Sequence, residues 1–196
     1  KYLPNMLACH VTIIHGAEGP SNTITCAEAS GLLSIGESVR VIQRGDADLC
    51  FSGGAEAPIN HMRHLRMHMA GRLAPTGDEA DGSTVVRPYD PAATGSICGE
   101  GGGILILEEA AMAGRRGAKV YARIAGYGAA HSGPAPDGWV GGGLAAAVDE
   151  GFQYAIENAL DDAKLTPADI DAILPHASGI PAMDSGERGA LRAVFG

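Results

Sequence analysis

The sequence predicts an α/β fold built from layers of helix and strand. Three observations carry that expectation: apolar or β-branched runs of strand length, longer runs with helical periodicity between them, and an unusual supply of glycine. Glycine accounts for 29 of the 196 residues, against 11 prolines and no G-X-Y period. The excess therefore serves tight turns, close packing or backbone approach to a ligand, not a collagen helix. With 45% apolar residues, the chain has the hydrophobic content of a globular protein and not of a disordered one.

Taken in order, the first clear helix spans about Ala27 to Arg44. Its polar positions Glu37, Arg40 and Arg44 form one narrow stripe. Ala29, Leu32, Leu33, Ile35, Val39 and Ile42 cover the rest, so the helix is expected to be buried. Ala47 to Gly54 reads as a short strand and Ala57 to Ala70 as a second helix. The glycine-rich polar stretch from Gly71 to Thr84 reads as a surface loop. Ile104 to Leu107 has a buried-strand pattern, followed by a short helix from Glu108 to Arg115 and a strand from Val120 to Gly126. His131 to Gly143 reads as a second loop, and Val148 to Ala163 as a helix. Thr166 and Pro167 look like a helix cap and first position. Ile170 to Leu174 is strand-like, and Ser185 to Val194 helical.

Charge narrows the function classes. A net charge of −9 argues against a nucleic-acid binder, which needs a basic face. The basic runs His61 to Arg66 and Arg115-Arg116 read as solvated faces. No apolar stretch is long enough to cross a membrane, and the first residues lack a signal-peptide pattern. The sequence does not begin with Met, and its first residue is expected to be either a processed end or an artificial boundary. Cys9, Cys26, Cys50 and Cys98 form no C-x-x-C and are expected as buried free thiols of a cytoplasmic protein. His61, His64 and His68 could share a helix face, yet no carboxylate or Cys completes a metal signature nearby. No metal and no cofactor are expected.

Three segments could carry chemistry. In the first, Gly19 to Gly31, a β-branched run turns abruptly into the long helix. A side chain at that turn meets free backbone N–H groups and the positive end of the helix dipole, an environment suited to a nucleophile or an anion. The blander alternative is that Glu28 is an ordinary acidic residue of a first helical turn. In the second, Ile173 to Pro181, His176 follows a strand end, where α/β folds place functional loops. It suits an acid, a base or an oxyanion donor, or else it is a structural loop histidine. In the third, Gly99 to Gly103, glycines lead into a strand with no Gly-Lys-Ser/Thr. Close packing under a site fits better than a phosphate loop.

Together these segments resemble the β-ketoacyl-acyl-carrier-protein synthases, the condensing enzymes of fatty-acid and polyketide synthesis. The likeness runs along nearly the whole chain. Gly19-Pro20-Ser21-Asn22 is similar to the family's entry to its nucleophile turn, and Ile35 to Asp48 with Gly53-Gly54-Ala55-Glu56 to the helix and strand behind it. Arg87-Pro88-Tyr89-Asp90 with Gly99-Glu100-Gly101 resembles the central signature. Gly117 to Tyr121 and Gly126-Tyr127-Gly128 match the segment after it. His176 with Pro181, Asp184 and Glu187 matches the first catalytic-histidine motif.

The resemblance implies a thiolase-like layered αβαβα fold, of which this sequence covers the central part. Residues 1–98 would be the later part of the N-terminal half and 99–196 the beginning of the C-terminal half. It further implies a carrier-protein or coenzyme-A thioester as ligand, and a homodimer, or a heterodimer with a ketosynthase, through the strand Asp48 to Ser52. The family nucleophile lies two residues before the pair Ser30-Gly31, which places Glu28 where a cysteine is usual. Of the two pantetheine-contacting threonines, one matches Ser178 and the other Ile180, and the acyl-gating phenylalanine matches Ser96. The resemblance thus implies catalytic positions at Glu28 and His176 and substrate-binding ones at Ser178 and Ser96. Two functions are expected: malonyl-thioester decarboxylation without condensation, or a non-catalytic subunit like the chain-length factors.

Overall fold

The computed structural model describes residues 3–78, 81–132 and 148–196. These residues divide into two compact units, one from within 1–57 and 100–123 and the other from within 58–99 and 124–196.

In the first unit, helix α1 (Met6–His15) ends at Gly16 in a left-handed conformation, the usual way to close a helix. A 3-10 turn (Ala27–Ala29) leads directly into α2 (Ser30–Gln43). Strand β1 (Leu49–Glu56) pairs antiparallel with β2 (Gly101–Glu108), in a register running from Leu49 opposite Glu108 to Glu56 opposite Gly101. A short helix, α4 (Ala110–Arg115), follows β2, and Arg116 doubles back to make a forked ion pair with Glu108. Helix α2 lies against β1 because both surfaces are stripped of side chains where they meet. A Cβ on Gly54 would sit 3.5 Å from Gly31 Cα, and a Cβ on Gly53 (φ 152°) would collide with the Gly103 carbonyl. Ser34 reaches across the same seam, its Oγ accepting from Gly53 N at 3.1 Å and donating to Gly53 O at 2.8 Å.

The second unit contains α3 (His61–Met69), α5 (Glu150–Ala163) and α6 (Pro181–Phe195), with α5 packed on α6. Asn60 caps α3 and Asp149 caps α5 through bonds to the Arg63 and Phe152 amides. The buried Asp149 also accepts from Ser132 Oγ at 2.6 Å. The segment before it, through Gly126 and Gly128, runs directly beneath α5. Tyr127 N donates to Asp162 Oδ2 at 3.0 Å. A Cβ on Gly128 would collide with the Ala155 carbonyl and lie 2.5 Å from Ala159 N. Because both obstacles are backbone, Gly128→Ala is expected to cost about 2–3 kcal/mol, read as a lowered denaturation midpoint; an unchanged midpoint would show that α5 can lift away freely.

Several sequence expectations change. Val120 to Gly126 and Ile170 to Leu174 form no strands, and β1–β2 is the one ladder among the described residues. An extended run becomes a strand only when a neighbour supplies hydrogen bonds, and neither segment has one; Leu174 is 93% exposed. Thr166-Pro167 opens a single 3-10 turn (Pro167–Asp169), closed by Asp169 Oδ2 accepting from Thr166 N, not a longer helix. The long helix buries only Gly36 and Val41, while Leu32 is 71% exposed, and Ile104, Leu105 and Ile106 of β2 are exposed as well. No further layer covers those faces among the described residues. The four cysteines are free as expected but none is buried, and Cys26 is exposed at the turn into α2. Most of the loop expected from His131 to Gly143 lies outside the described residues. No described helix is long and apolar enough to cross a membrane, and no cluster of metal-ligating side chains occurs among the described residues.

Candidate functional site

The turn ahead of α2 belongs to the first unit. Its backbone bends sharply: Cys26 has φ −145° and ψ 47°, and Ala27 has a positive φ of 46°. A left-handed alanine is strained and persists only where its surroundings impose it. Ser30 imposes it, its Oγ accepting from Cys26 N and donating to Ala27 O, both at 2.8 Å. Glu28 is thereby presented, exposed, in the middle of the 3-10 turn, at the positive end of α2. A carboxylate there is stabilised by the helix dipole but lacks the nucleophilicity of a thiolate towards a thioester.

His176, Ser178 and Ser96 belong to the second unit. The loop His176–Gly179 has no regular structure of its own, and two acids on the first turns of α6 hold it. Spaced i, i+3, Asp184 and Glu187 project from one face of the helix, and they are only 3% and 5% exposed. Glu187 Oε1 accepts from His176 N at 2.6 Å, and Oε2 accepts from Ala177 N at 3.0 Å and from the Tyr89 hydroxyl at 2.6 Å. Asp184 Oδ1 accepts from Ser178 Oγ at 2.8 Å, and Oδ2 from Tyr89 N at 2.9 Å and Gly179 N at 3.2 Å. All six of these bonds run from a neutral donor in the loop or on Tyr89 to an acid whose other bonds are equally internal, which is how a buried acid is made tolerable. Burial, and then the Glu187 carboxylate beside it, hold the Tyr89 phenol protonated far above the ordinary tyrosine range.

The consequence is a fixed loop with a free head group. His176 is tied down through its backbone, while its imidazole is exposed and has no hydrogen-bond partner among the described residues. Ala177 adopts a positive φ of 51°, and Gly179, at φ 76°, abuts Val86 and the Gly95 carbonyl. That contact joins the loop to the Ser96 segment, whose backbone pairs with Arg72 and Ala74. Ser178 spends its hydroxyl within the loop, donating to Asp184 and accepting from Ile180 N at 3.1 Å. Ile180 is 6% exposed and packs inward. Cavities of about 560 and 300 Å³ lie along residues 167–175 and α6, and Glu28, His176, Ser178 and Ser96 line neither of them.

Sequence reasoning placed Asp184 and Glu187 in one motif with His176 but gave them no part in holding it. The i, i+3 spacing of two acids just after a proline was the available signal for Asp184 and Glu187. Nothing in the sequence links them to Tyr89.

The fold is that of the ketosynthases, the thiolase-like condensing enzymes. The chain belongs to the β-ketoacyl synthase family: the family's N-terminal domain model matches residues 1–113 and its C-terminal domain model residues 121–196. It is 38% identical to 3-oxoacyl-[acyl-carrier-protein] synthase 2 of Staphylococcus aureus, over 99% of this chain and 46% of that protein. The mitochondrial 3-oxoacyl-[acyl-carrier-protein] synthase of Arabidopsis thaliana is 36% identical, over 100% of this chain and 41% of that protein. Among solved structures, a complex of a type II PKS acyl-carrier protein with its ketosynthase superposes with a TM-score of 0.86 at 28% identity, covering 98% of this chain and 45% of that one. The ishigamide ketosynthase/chain length factor superposes at 0.82 with 30% identity, covering 100% of this chain and 45% of that one. The chain thus spans less than half the length of these relatives, and its α/β fold is the corresponding part of a thiolase-like unit.

Proposed function

We propose that the protein acts on malonyl thioesters carried by an acyl carrier protein or coenzyme A, and decarboxylates them without condensing the product. The observation that carries this reading is Glu28, a carboxylate on a turn strained and locked like a nucleophile turn. In the reaction, the bond between the malonyl α-carbon and its carboxylate breaks, carbon dioxide leaves, and the electron pair passes into the thioester as an enolate. The exposed His176 imidazole stabilises the developing enolate oxygen, and a proton then returns to carbon to give the acetyl thioester. Glu28 occupies the space of an acyl-enzyme, and Ser178 and Ser96 border the substrate. No residue in this scheme forms a covalent intermediate.

The full-length protein incubated with malonyl-carrier protein is expected to release carbon dioxide and acetyl-carrier protein; absence of both sinks the proposal. An anionic Glu28 repels the malonate carboxylate, whereas glutamine keeps the shape without the charge. Glu28→Gln is therefore expected to raise the decarboxylation rate about tenfold, a barrier change of about 1.4 kcal/mol, as measured by carbon dioxide release.

A second reading is a non-catalytic partner of an active ketosynthase. The likeness to a ketosynthase/chain length factor supports it, as does the joint loss of the usual cysteine, at Glu28, and of the gating phenylalanine, at Ser96. Co-purification with a sister ketosynthase supports this second reading, and a strictly self-paired homodimer argues against it.

A further inference from the structure

Tyr89 lies at the centre of the second unit's polar network without any part in the chemistry above. All three of its polar groups are spent on α6. Its N–H donates to Asp184 Oδ2 at 2.9 Å, its hydroxyl to Glu187 Oε2 at 2.6 Å, and its carbonyl accepts from Arg188 at 2.9 Å. The Arg188 guanidinium also lies 5.3 Å from the ring centroid, within cation–π range. To make these contacts the residue adopts a positive φ of 59°, a strained conformation for a side chain of this size. Strain of that kind is retained where something depends on the placement.

What depends on it is the position of His176. Glu187 Oε2 is shared between the Tyr89 hydroxyl and the Ala177 amide, and Oε1 of the same carboxyl receives the His176 amide. A carboxyl on a flexible glutamate stem can rotate about its last bond. With only two adjacent amides to satisfy, it has several ways to do so. The phenol adds a third donor, on the Oε2 that already serves the Ala177 amide, so the carboxyl must serve all three at once. We infer that Tyr89 is a positioning residue for His176, fixing the Glu187 carboxyl that carries the histidine loop. The Tyr89 hydroxyl reaches the histidine loop through Glu187, and no hydrogen bond joins Tyr89 to the imidazole among the described residues. The inference deepens the proposed decarboxylation and rests on it for its kinetic consequence, while its structural consequence stands independently.

The test is Tyr89→Phe in the full-length protein, a change that removes one oxygen and keeps the ring under Arg188. Hydrogen exchange at the His176 and Ala177 amides, read in peptides covering 174–180, is expected to become about tenfold faster, the effect of losing one bond to a charged group. Exchange in α5 is expected to stay as it was. In the decarboxylation assay kcat should fall about three- to tenfold with KM unchanged, because the substrate still binds while the imidazole wanders. Unchanged exchange at 174–180 overturns the inference. So does exchange that rises equally through α5 and α6, since Tyr89 would then be a general stabiliser. If wild-type protein releases no carbon dioxide, the functional proposal fails on that result, and the exchange measurement still decides the role of Tyr89.

Discussion

Glu187→Ala is expected to be the most destabilising single substitution in the second unit, at about 3–5 kcal/mol. The side chain is 5% exposed and accepts three hydrogen bonds, from His176 N, Ala177 N and the Tyr89 hydroxyl. Alanine leaves all three donors facing a cavity with no acceptor, and each buried unsatisfied donor costs about 1–3 kcal/mol. The left-handed Ala177 adds to the loss, because its conformation is held by the same carboxyl. Chemical denaturation of the full-length variant measures the effect, and a loss below about 1 kcal/mol would mean that water replaces the carboxyl without penalty. An exposed pair gives the contrast: Lys164 and Asp161 are 79% and 87% exposed at 3.6 Å, and removing either should cost almost nothing.

The difference between those two acids also explains what sequence alone can reach. Periodicity finds an element when the element's own side chains record its environment. It located α2, β1, β2 and α5 in this way. It passed over α1, whose residues Met6 to His15 are apolar on nearly every face and so carry no phase. It began α6 four residues late, because Pro181 reads as a loop residue unless taken as the first position of a helix. It predicted strands at 120–126 and 170–174, where the residues suit a sheet but a strand also needs a partner. The site divides along the same line. The position of His176 after an apolar run, and of Glu28 at a helix start, is local information. The grip of Glu187 on Tyr89 joins residues 98 apart, and neither one carries a mark of the other.

His176→Ala separates chemistry from architecture, because alanine keeps the one group the fold uses. The backbone N–H that donates to Glu187 at 2.6 Å is retained, and the imidazole that is lost is exposed with no partner among the described residues. Stability should therefore change by no more than about 0.5 kcal/mol, the usual range for a surface position away from special features. Under the decarboxylation reading, the same change removes the donor that faces the enolate oxygen. The removal of one such donor lowers kcat by about 10²–10³-fold, and KM should scarcely move because the group acts as charge develops and not on the bound thioester. The pairing of a large kinetic loss with an unmoved denaturation midpoint is the signature to look for, and it is the reverse of what Glu187→Ala should give. A kcat unaltered by His176→Ala removes His176 from the mechanism. If a sister ketosynthase is found, the variant offers a second discrimination. A non-catalytic partner should support the sister's condensation equally well with histidine or alanine at 176, whereas a decarboxylase that primes the sister should lose that support in proportion to its own rate.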